Sequence, residues 1–431
     1  MSSRLPGFYK LDPDTRLERV LEAAALDPAL GSSWREGGLS LELADRMIEN
    51  VVGTFRLPTG VAVNMLVNGR DVLVPMVVEE PSVVAAVGNM ARIARQAGGF
   101  QASSDASVMI GQIELRDVRD PAATVAALEP HVERLSALGD ARLPELVGLG
   151  GGIRGMELRI LRYDEPGEEP SDLVILHFFL DCLDAMGANM VNTVAEALAP
   201  ELEAITGERV GLRILSNLAD RRLARARVVL PAELLGDARF SGAEVAEGVA
   251  GAWRFAWADP YRAATHNKGI MNGVDPVVIA TGNDWRAMEA GAHAFAARSG
   301  VYKPLTTWKV DRAGALVGTI ELPVQVGTVG GTLRMHPTVR ANIALLGVQH
   351  AGELAEIIAA VGLAQNLGAL KALATTGIQE GHMRLHARSV AVQAGAAGPE
   401  VAALVAALVA ARDFSDARAR QELAALRGGS A

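Results

Sequence analysis

One lysine of this 431-residue chain stands apart from the other charges. Lys268 sits within residues 259–286, DPYRAATHNKGIMNGVDPVVIATGNDWR, among Thr265, His266, Asn267, Gly269, Asn272 and Gly273. A surface lysine usually belongs to a mixed-charge face. An ammonium in this setting, ahead of the apolar run 277–280, reads as partly buried and in need of an anion. Asp284 is the candidate along the chain, and its place at the start of a helix expected over 284–298 also suits it to capping free N–H groups. Spacing alone leaves open whether Lys268 and Asp284 form a structural ion pair or a proton-handling couple. Further acid–base candidates are Glu79 and Glu80, His382 and His386. The two glutamates end an expected strand, where adjacent side chains point to opposite faces, so one of them can face a site. The histidines lie one helical turn apart but lack the glutamate of H-E-x-x-H and an acidic third ligand, so no metal is expected. Taken singly, each histidine reads as structural.

The elements that must position these groups follow from local pattern. Asp12-Pro13 is an N-cap and first-turn pair opening a helix through residue 25, and a second helix is expected over 41–50. Residues 61–78 form a hairpin around Asn68-Gly69, and Pro81 opens a helix running to 96. Residues 108–217 read as strand (108–115), helix (121–138), strand (156–163), strand (173–181), helix (185–206) and strand (210–215), the split βαββαβ order of the ferredoxin-like unit. A helix over 241–257, a hairpin over 306–322, a flexible glycine loop at 326–331, three helical segments over 337–375 and an alanine-rich helical tail complete the chain. The expected fold class is α+β. A large, mostly helical domain (1–107 and 218–377) carries an inserted ferredoxin-like domain (108–217) and a C-terminal helical unit (378–431).

Gly150, Gly152 and Gly155 match the G-x-G-x-x-G spacing of Rossmann sites. The alternating residues 156–160 that follow predict a strand, whereas Rossmann glycines open a helix. A better anion cradle is 184–189, where a strand ends and Gly187 lets backbone approach a phosphate at a helix N-terminus.

A net charge of −9 and a pI near 5.5 argue against nucleic acid or an anionic membrane as main partner. No signal-peptide core or uninterrupted membrane-length apolar run is evident. The single cysteine, Cys182, excludes an intrachain disulfide and a cysteine-cluster metal site and fits a reducing cytoplasm.

The stretch 266–284, HNKGIMNGVDPVVIATGND, resembles the core motif of the class II hydroxymethylglutaryl-CoA reductases. Further matches follow the family's order: ENVVG (49–53), VEEPS (78–82), DAMGANM (184–190), RILSNLAD (213–220), GLAQNLG (362–368), GHM (381–383) and LHAR (385–388). The resemblance covers essentially the whole chain. It implies interconversion of hydroxymethylglutaryl-CoA and mevalonate plus coenzyme A by two hydride transfers from a reduced nicotinamide cofactor, without metal. It selects Glu80, Lys268, Asp284 and His382 as catalytic. Lys268 would stabilise oxyanion charge, Glu80 would supply a proton, Asp284 would couple the two, and His382, on a mobile C-terminal flap, would protonate the departing thiolate. The dinucleotide is implied at Asp184, Ala185, Met186, Gly187, Ala188 and Asn189, and substrate at Ser82, Asn217, Arg262, Asn272, Gln365 and Asn366. A cytoplasmic homodimer or larger homo-oligomer with shared sites is implied. NADH-preferring relatives carry an acid where this chain aligns Leu143, with Asp140 and Glu145 nearby, while Arg142 suits a 2′-phosphate. NADH is the expected cofactor, with NADPH as alternative. Two other readings remain at this stage: a Rossmann dehydrogenase and a non-enzymatic acyl-CoA-binding relative.

Overall fold

In the computed structural model, residues 2–375, 377 and 387–428 are described. Strands β1 (Thr59–Val67) and β2 (Arg70–Val77) form an antiparallel hairpin. Its turn residues, Asn68 and Gly69, both have positive φ, as a two-residue primed turn requires. A four-stranded antiparallel sheet is assembled from distant parts of the chain: β3 (Gln101–Ser104), β8 (Leu223–Leu230), β10 (Leu316–Pro323) and β9 (Thr306–Val310), in the spatial order β3-β8-β10-β9. Between β3 and β8 the chain forms the second four-stranded sheet from β4 (Val108–Arg116), β5 (Gly152–Tyr163), β6 (Ser171–Asp181) and β7 (Arg209–Ser216). Its order, β5-β6-β4-β7, with every pair antiparallel, is that of the split βαββαβ unit. The strand at Gly152–Tyr163 removes the Rossmann reading of the neighbouring glycines.

Seven helices carry the rest of the argument: α1 (Pro13–Ala24), α2 (Val83–Gln96), α3 (Ala188–Thr206), α4 (Gly242–Ala258), α5 (Pro260–Ala280), α6 (Trp285–Ala296) and α7 (Ala351–Ala374). The largest buried cluster joins β1, β2, α2, α4, α5, α6 and α7 to the β3-β8-β10-β9 sheet, with Trp308 fully buried among them. A second cluster lies between the other sheet and α3, built on Met109, Leu176, Phe178, Val194 and Leu198. The C-terminal helices Pro399–Ala411 and Asp416–Gly428 close a small cluster of their own around Leu404, Leu408 and Leu423. α7 is long and apolar enough by composition to cross a membrane, but two thirds of that stretch is buried inside the protein, which makes it a core helix.

Several local expectations are corrected. The helix expected over 41–50 ends at Asp45. Pro81 stays outside α2, which begins at Val83 after Ser82 turns into the left-handed region at φ 75°. Two helices rather than three fill 337–375, Pro337–Leu346 and α7, while Gly331–Met335 adds a short one at the end of the glycine loop. The stretch around Lys268, read as a Gly/Asn-rich segment, is a 21-residue helix. Asp259 caps it by accepting from the Tyr261 N–H, and Pro260 occupies its first turn. Gly273 is required by packing: a Cβ there would lie 2.7 Å from the Gln365 Cβ and 3.0 Å from the Val361 carbonyl, so α5 and α7 meet almost backbone to backbone. Pro276 has no N–H to return to the Asn272 carbonyl, which leaves that oxygen free within the helix.

Candidate active site

Glu80 stands in the turn between β2 and α2, and Lys268 and Asn272 stand one turn apart on α5. The three meet. Lys268 Nζ donates to Glu80 Oε2 at 2.7 Å and Asn272 Nδ2 donates to Glu80 Oε1 at 3.3 Å. Both carboxylate oxygens are thereby engaged from one helix face. The Lys268 side chain remains 61% exposed, against the expectation of burial, and the Glu80 side chain 33%. An ion pair this open is worth about 0–1 kcal/mol of stability, too little to explain its construction. Two of the ammonium's three donors stay available to a ligand.

Asp284 does not pair with Lys268 as its sequence position predicted. Its Oδ1 accepts from the N–H groups of Arg286 and Ala287, capping α6, and lies 3.5 Å from the Arg286 guanidinium. The helix-start role is realised, and the anion that pairs with Lys268 is instead one 188 residues away.

A different stripe of α5, facing α7, carries Arg262, His266 and Gly273. Among the described residues Arg262 Nη1 is buried without a hydrogen-bond partner, and burial lowers the guanidinium's pKa. His266 Nε2 lies 2.6 Å from Thr306 Oγ1, whose own proton goes to Asn366 Oδ1 at 2.9 Å. That commitment makes Nε2 the donor and leaves Nδ1 bare. Burial, with the Arg262 charge adding to it, pushes the imidazole down to about 3, so it is neutral. Across the contact, Gln365 is buried on α7 with its Oε1 unpartnered. Asn366, expected beside it in substrate binding, is 1% exposed and spends its Oδ1 on Thr306 and on Trp308 Nε1. Asn366 thus lies in the core and holds β9. Asn217 sits past the end of β7, where its carbonyl accepts from Gln325 Nε2, and Ser82 is half-buried beside Glu80. His382 lies outside the described residues.

The glycine cradle forms at the head of α3. Gly187 has φ 102°, and a Cβ on it would lie 2.3 Å from Cys182 Sγ, so no other residue fits. No side chain caps α3, whose 19 residues direct their first N–H groups and positive dipole end outward. This cradle suits a pyrophosphate. Asp184 is spent elsewhere: its carboxylate accepts from the Ala351 N–H at 2.8 Å and pairs with His350 at 3.1 Å, fastening the loop to the start of α7. Cys182 is buried and its thiol pushed up to about 12, which removes it as a nucleophile.

Sequence reasoning missed the residues that tie this cradle to the larger body. Arg222, nine-tenths buried, donates to the carbonyls of Ala185, Met186 and Val326. Asn283 holds the glycine loop through both the N–H and the carbonyl of Gly327. Neither carried a readable signal, since an arginine pair ahead of a strand and an asparagine after a glycine are ordinary surface patterns.

A glycine-opened helix N-terminus beside one sheet and an acid–ammonium pair beside the other supply an anion cradle and a proton-handling couple, the groups an oxidoreductase with a dinucleotide cofactor requires. A family model of hydroxymethylglutaryl-coenzyme A reductase matches residues 14–387. The 3-hydroxy-3-methylglutaryl-coenzyme A reductase of Archaeoglobus fulgidus is 51% identical over 409 residues, 95% of this chain and 91% of the archaeal one. A probable reductase of the same name from Borreliella burgdorferi is 35% identical, spanning 90% and 88% of the two chains. The solved structure of the class II enzyme from Streptococcus pneumoniae, bound to NADPH in open conformations, matches with a TM-score of 0.81 at 44% identity and covers 97% of this chain and 100% of that one. The chain belongs to the hydroxymethylglutaryl-CoA reductase family, in its class II branch.

Proposed function

We propose that the chain interconverts hydroxymethylglutaryl-CoA and mevalonate plus coenzyme A, with Glu80, Lys268 and Asn272 as the group that handles the reacting carbonyl. The observation carrying this reading is the 2.7 Å contact between an open lysine and a carboxylate, which stability does not require. When bound, the reduced nicotinamide supplies hydride, two equivalents being needed from thioester to primary alcohol. The free Lys268 donors receive the negative charge that gathers on the carbonyl oxygen. Glu80 accepts at both oxygens in this arrangement, and once it has taken up a proton from solvent its acid form is placed to hand that proton to the carbonyl oxygen. Asp284 contributes its charge from the head of α6. His382 is assigned the thiolate, since an imidazolium near pKa 6.5 protonates a thiolate near 8.5 with a favourable bias. Arg262 Nη1 and Gln365 Oε1, buried and unpartnered, are polar groups that the substrate's carboxylate and hydroxyl would satisfy. Ser82 and Asn217 complete that set, and the backbone of 185–189 would hold the pyrophosphate.

The division into a discontinuous body (1–107 and 218–377), a cofactor unit (108–217) and a C-terminal flap (378–431) is part of the same proposal, supported by the separate buried clusters. So are a cytoplasmic setting and a homodimer. Residues 46–58 contain no helix or strand and expose Ile48, Val52 and Phe55, the last two at 99% and 89%. A second copy covering them accounts for apolar side chains that water does not favour.

On cofactor choice the site moves the expectation away from NADH. Asp140, one of the two nearby acids, is turned inward, its Oδ1 accepting from the Ile153 N–H at 2.7 Å. Leu143 packs against the small-unit core, and Arg142 is exposed. With no acid at 143 to reject a 2′-phosphate, NADPH is expected to serve at least as well as NADH, in line with the pneumococcal enzyme solved with NADPH. Following absorbance of each reduced cofactor with hydroxymethylglutaryl-CoA tests both points. Oxidation of two equivalents per thioester supports the reading, and folded protein inert in both reaction directions overturns it. Leu143→Asp is expected to shift the kcat/KM ratio toward NADH by about tenfold or more.

A further inference from the structure

The loop that opens the cofactor cradle is fastened to the larger body through one residue. All three oxygens of Asp184 bond across that junction: its carbonyl accepts from the Thr328 N–H at 2.9 Å, its Oδ1 accepts from the Ala351 N–H at 2.8 Å, and its Oδ2 lies 3.1 Å from His350 Nδ1. An ionised carboxylate only accepts, so the imidazole donates from Nδ1. The arrangement makes good a missing local cap. His350 holds the N-cap position of α7, yet its side chain makes no bond to the helix. Asp184, 167 residues away in the chain, meets the first N–H in its place.

A carboxylate in this place has a cost for the neighbouring site. The backbone of 185–189 follows it directly and is the part read above as holding the pyrophosphate, which a bare Asp184 charge repels. Two cations offset that charge. Arg222 donates to the Ala185 and Met186 carbonyls and, with its pKa lowered by burial to about 10, stays largely charged through pH 9. Cys182, pushed up to about 12, stays a neutral thiol. His350 is the second cation, and an imidazole titrates between those limits. The other charged groups about it are Glu353 on its own helix, which accepts from the Gln349 N–H, and Arg70 of β2, which lies 3.8 Å from Glu353 and donates to the Leu346 and Gly347 carbonyls. β3 meets this end of α7 through Ser104 against Gly352 and carries no charge. We propose that His350 is a positioning residue of the cofactor site, whose imidazolium holds the Asp184 loop to the head of α7 and offsets the Asp184 charge beside the phosphates. The inference rests on the reading of 185–189 as the dinucleotide cradle.

Asp184, through its hydrogen bond first and its charge second, raises the imidazole's pKa above the ordinary 6.5. The charged pair is therefore complete below 6.5 and is lost as pH rises through the raised value. The test is the Kd of NADPH, measured by isothermal titration calorimetry on the full-length parent, His350→Gln and His350→Lys at pH 6 and pH 9, with thermal unfolding alongside. Glutamine keeps a donor for Asp184 without the charge, and lysine keeps the charge without titrating in this window. At pH 6 the glutamine variant is expected to bind about three- to tenfold more weakly than the parent, the effect of one partly screened charge near the site. At pH 9 the glutamine variant and the parent are expected to agree, with the lysine variant tighter than both by a similar factor. Tm is expected to stay nearly unchanged in both variants, because the His350 side chain is 70% exposed. A glutamine-to-parent ratio that is the same at the two pH values, or parental binding by the glutamine variant at pH 6, overturns the proposal. A folded parent that binds neither NADPH nor NADH sinks the cradle reading instead, so the two failures are told apart.

Discussion

Lys268→Met is expected to lower kcat by about a hundred- to a thousandfold while leaving KM for the cofactor and the thermal stability almost unchanged. The size follows from the task. A preorganised donor aimed at a developing oxyanion contributes roughly 3–4 kcal/mol to the transition state and little to the ground state. The selectivity follows from the structure: the side chain is 61% exposed and its partner Glu80 is a third exposed, so screening leaves the ion pair a minor part of folding stability. Methionine also keeps a helix-compatible stem on α5. Arginine is not expected to rescue the loss, because its planar fork matches carboxylate geometry and does not reproduce a compact ammonium between Glu80 and a carbonyl oxygen. Steady-state rates with either cofactor decide the matter, and activity within tenfold of the parent would remove Lys268 from the chemistry.

Sequence and structure agree in this chain where local signals and global packing point the same way. The split βαββαβ unit was legible because its strands alternate, its helix starts carry Asp120-Pro121 and Gly187, and its elements are consecutive. The hairpin at Asn68-Gly69 was legible because the turn demands those residues. α5 was not, since Gly269, Gly273 and Pro276 all count against a helix, and what holds it is the close approach to α7 that Gly273 permits. Lys268 stands apart from other charges in the sequence, but its contact spans 188 residues and has no local signature. Gln365 and Asn366 show the same limit at finer grain. Adjacent helical residues project about 100° apart, so the two side chains of such a motif take different neighbours. Here one faces α5 and the other holds β9.

Glu80→Gln should cost between a hundred- and ten-thousandfold in kcat, the range associated with removing a positioned proton donor. Glutamine preserves size and one acceptor oxygen, so Lys268 keeps a hydrogen-bond partner, but its amide meets the Asn272 amide where a carboxylate oxygen formerly accepted at 3.3 Å. Two explanations of a loss must be separated: Glu80 hands over a proton, or it only holds Lys268 in place. Combining the substitutions separates them. If Glu80 acts solely by placing the ammonium, Glu80→Gln adds nothing to a protein already lacking it, and the double variant matches Lys268→Met. If Glu80 transfers the proton, the double variant falls further, though by less than the product of the single effects, because the oxyanion that Lys268 stabilises is the atom that Glu80 protonates. The pH profile supplies the second readout. Glutamine does not titrate, so whatever limb of the parent's kcat–pH curve belongs to Glu80 is absent from the variant's residual rate. Retention of that limb in Glu80→Gln, together with a double variant equal to Lys268→Met, would reassign the carboxylate from proton donor to positioning partner.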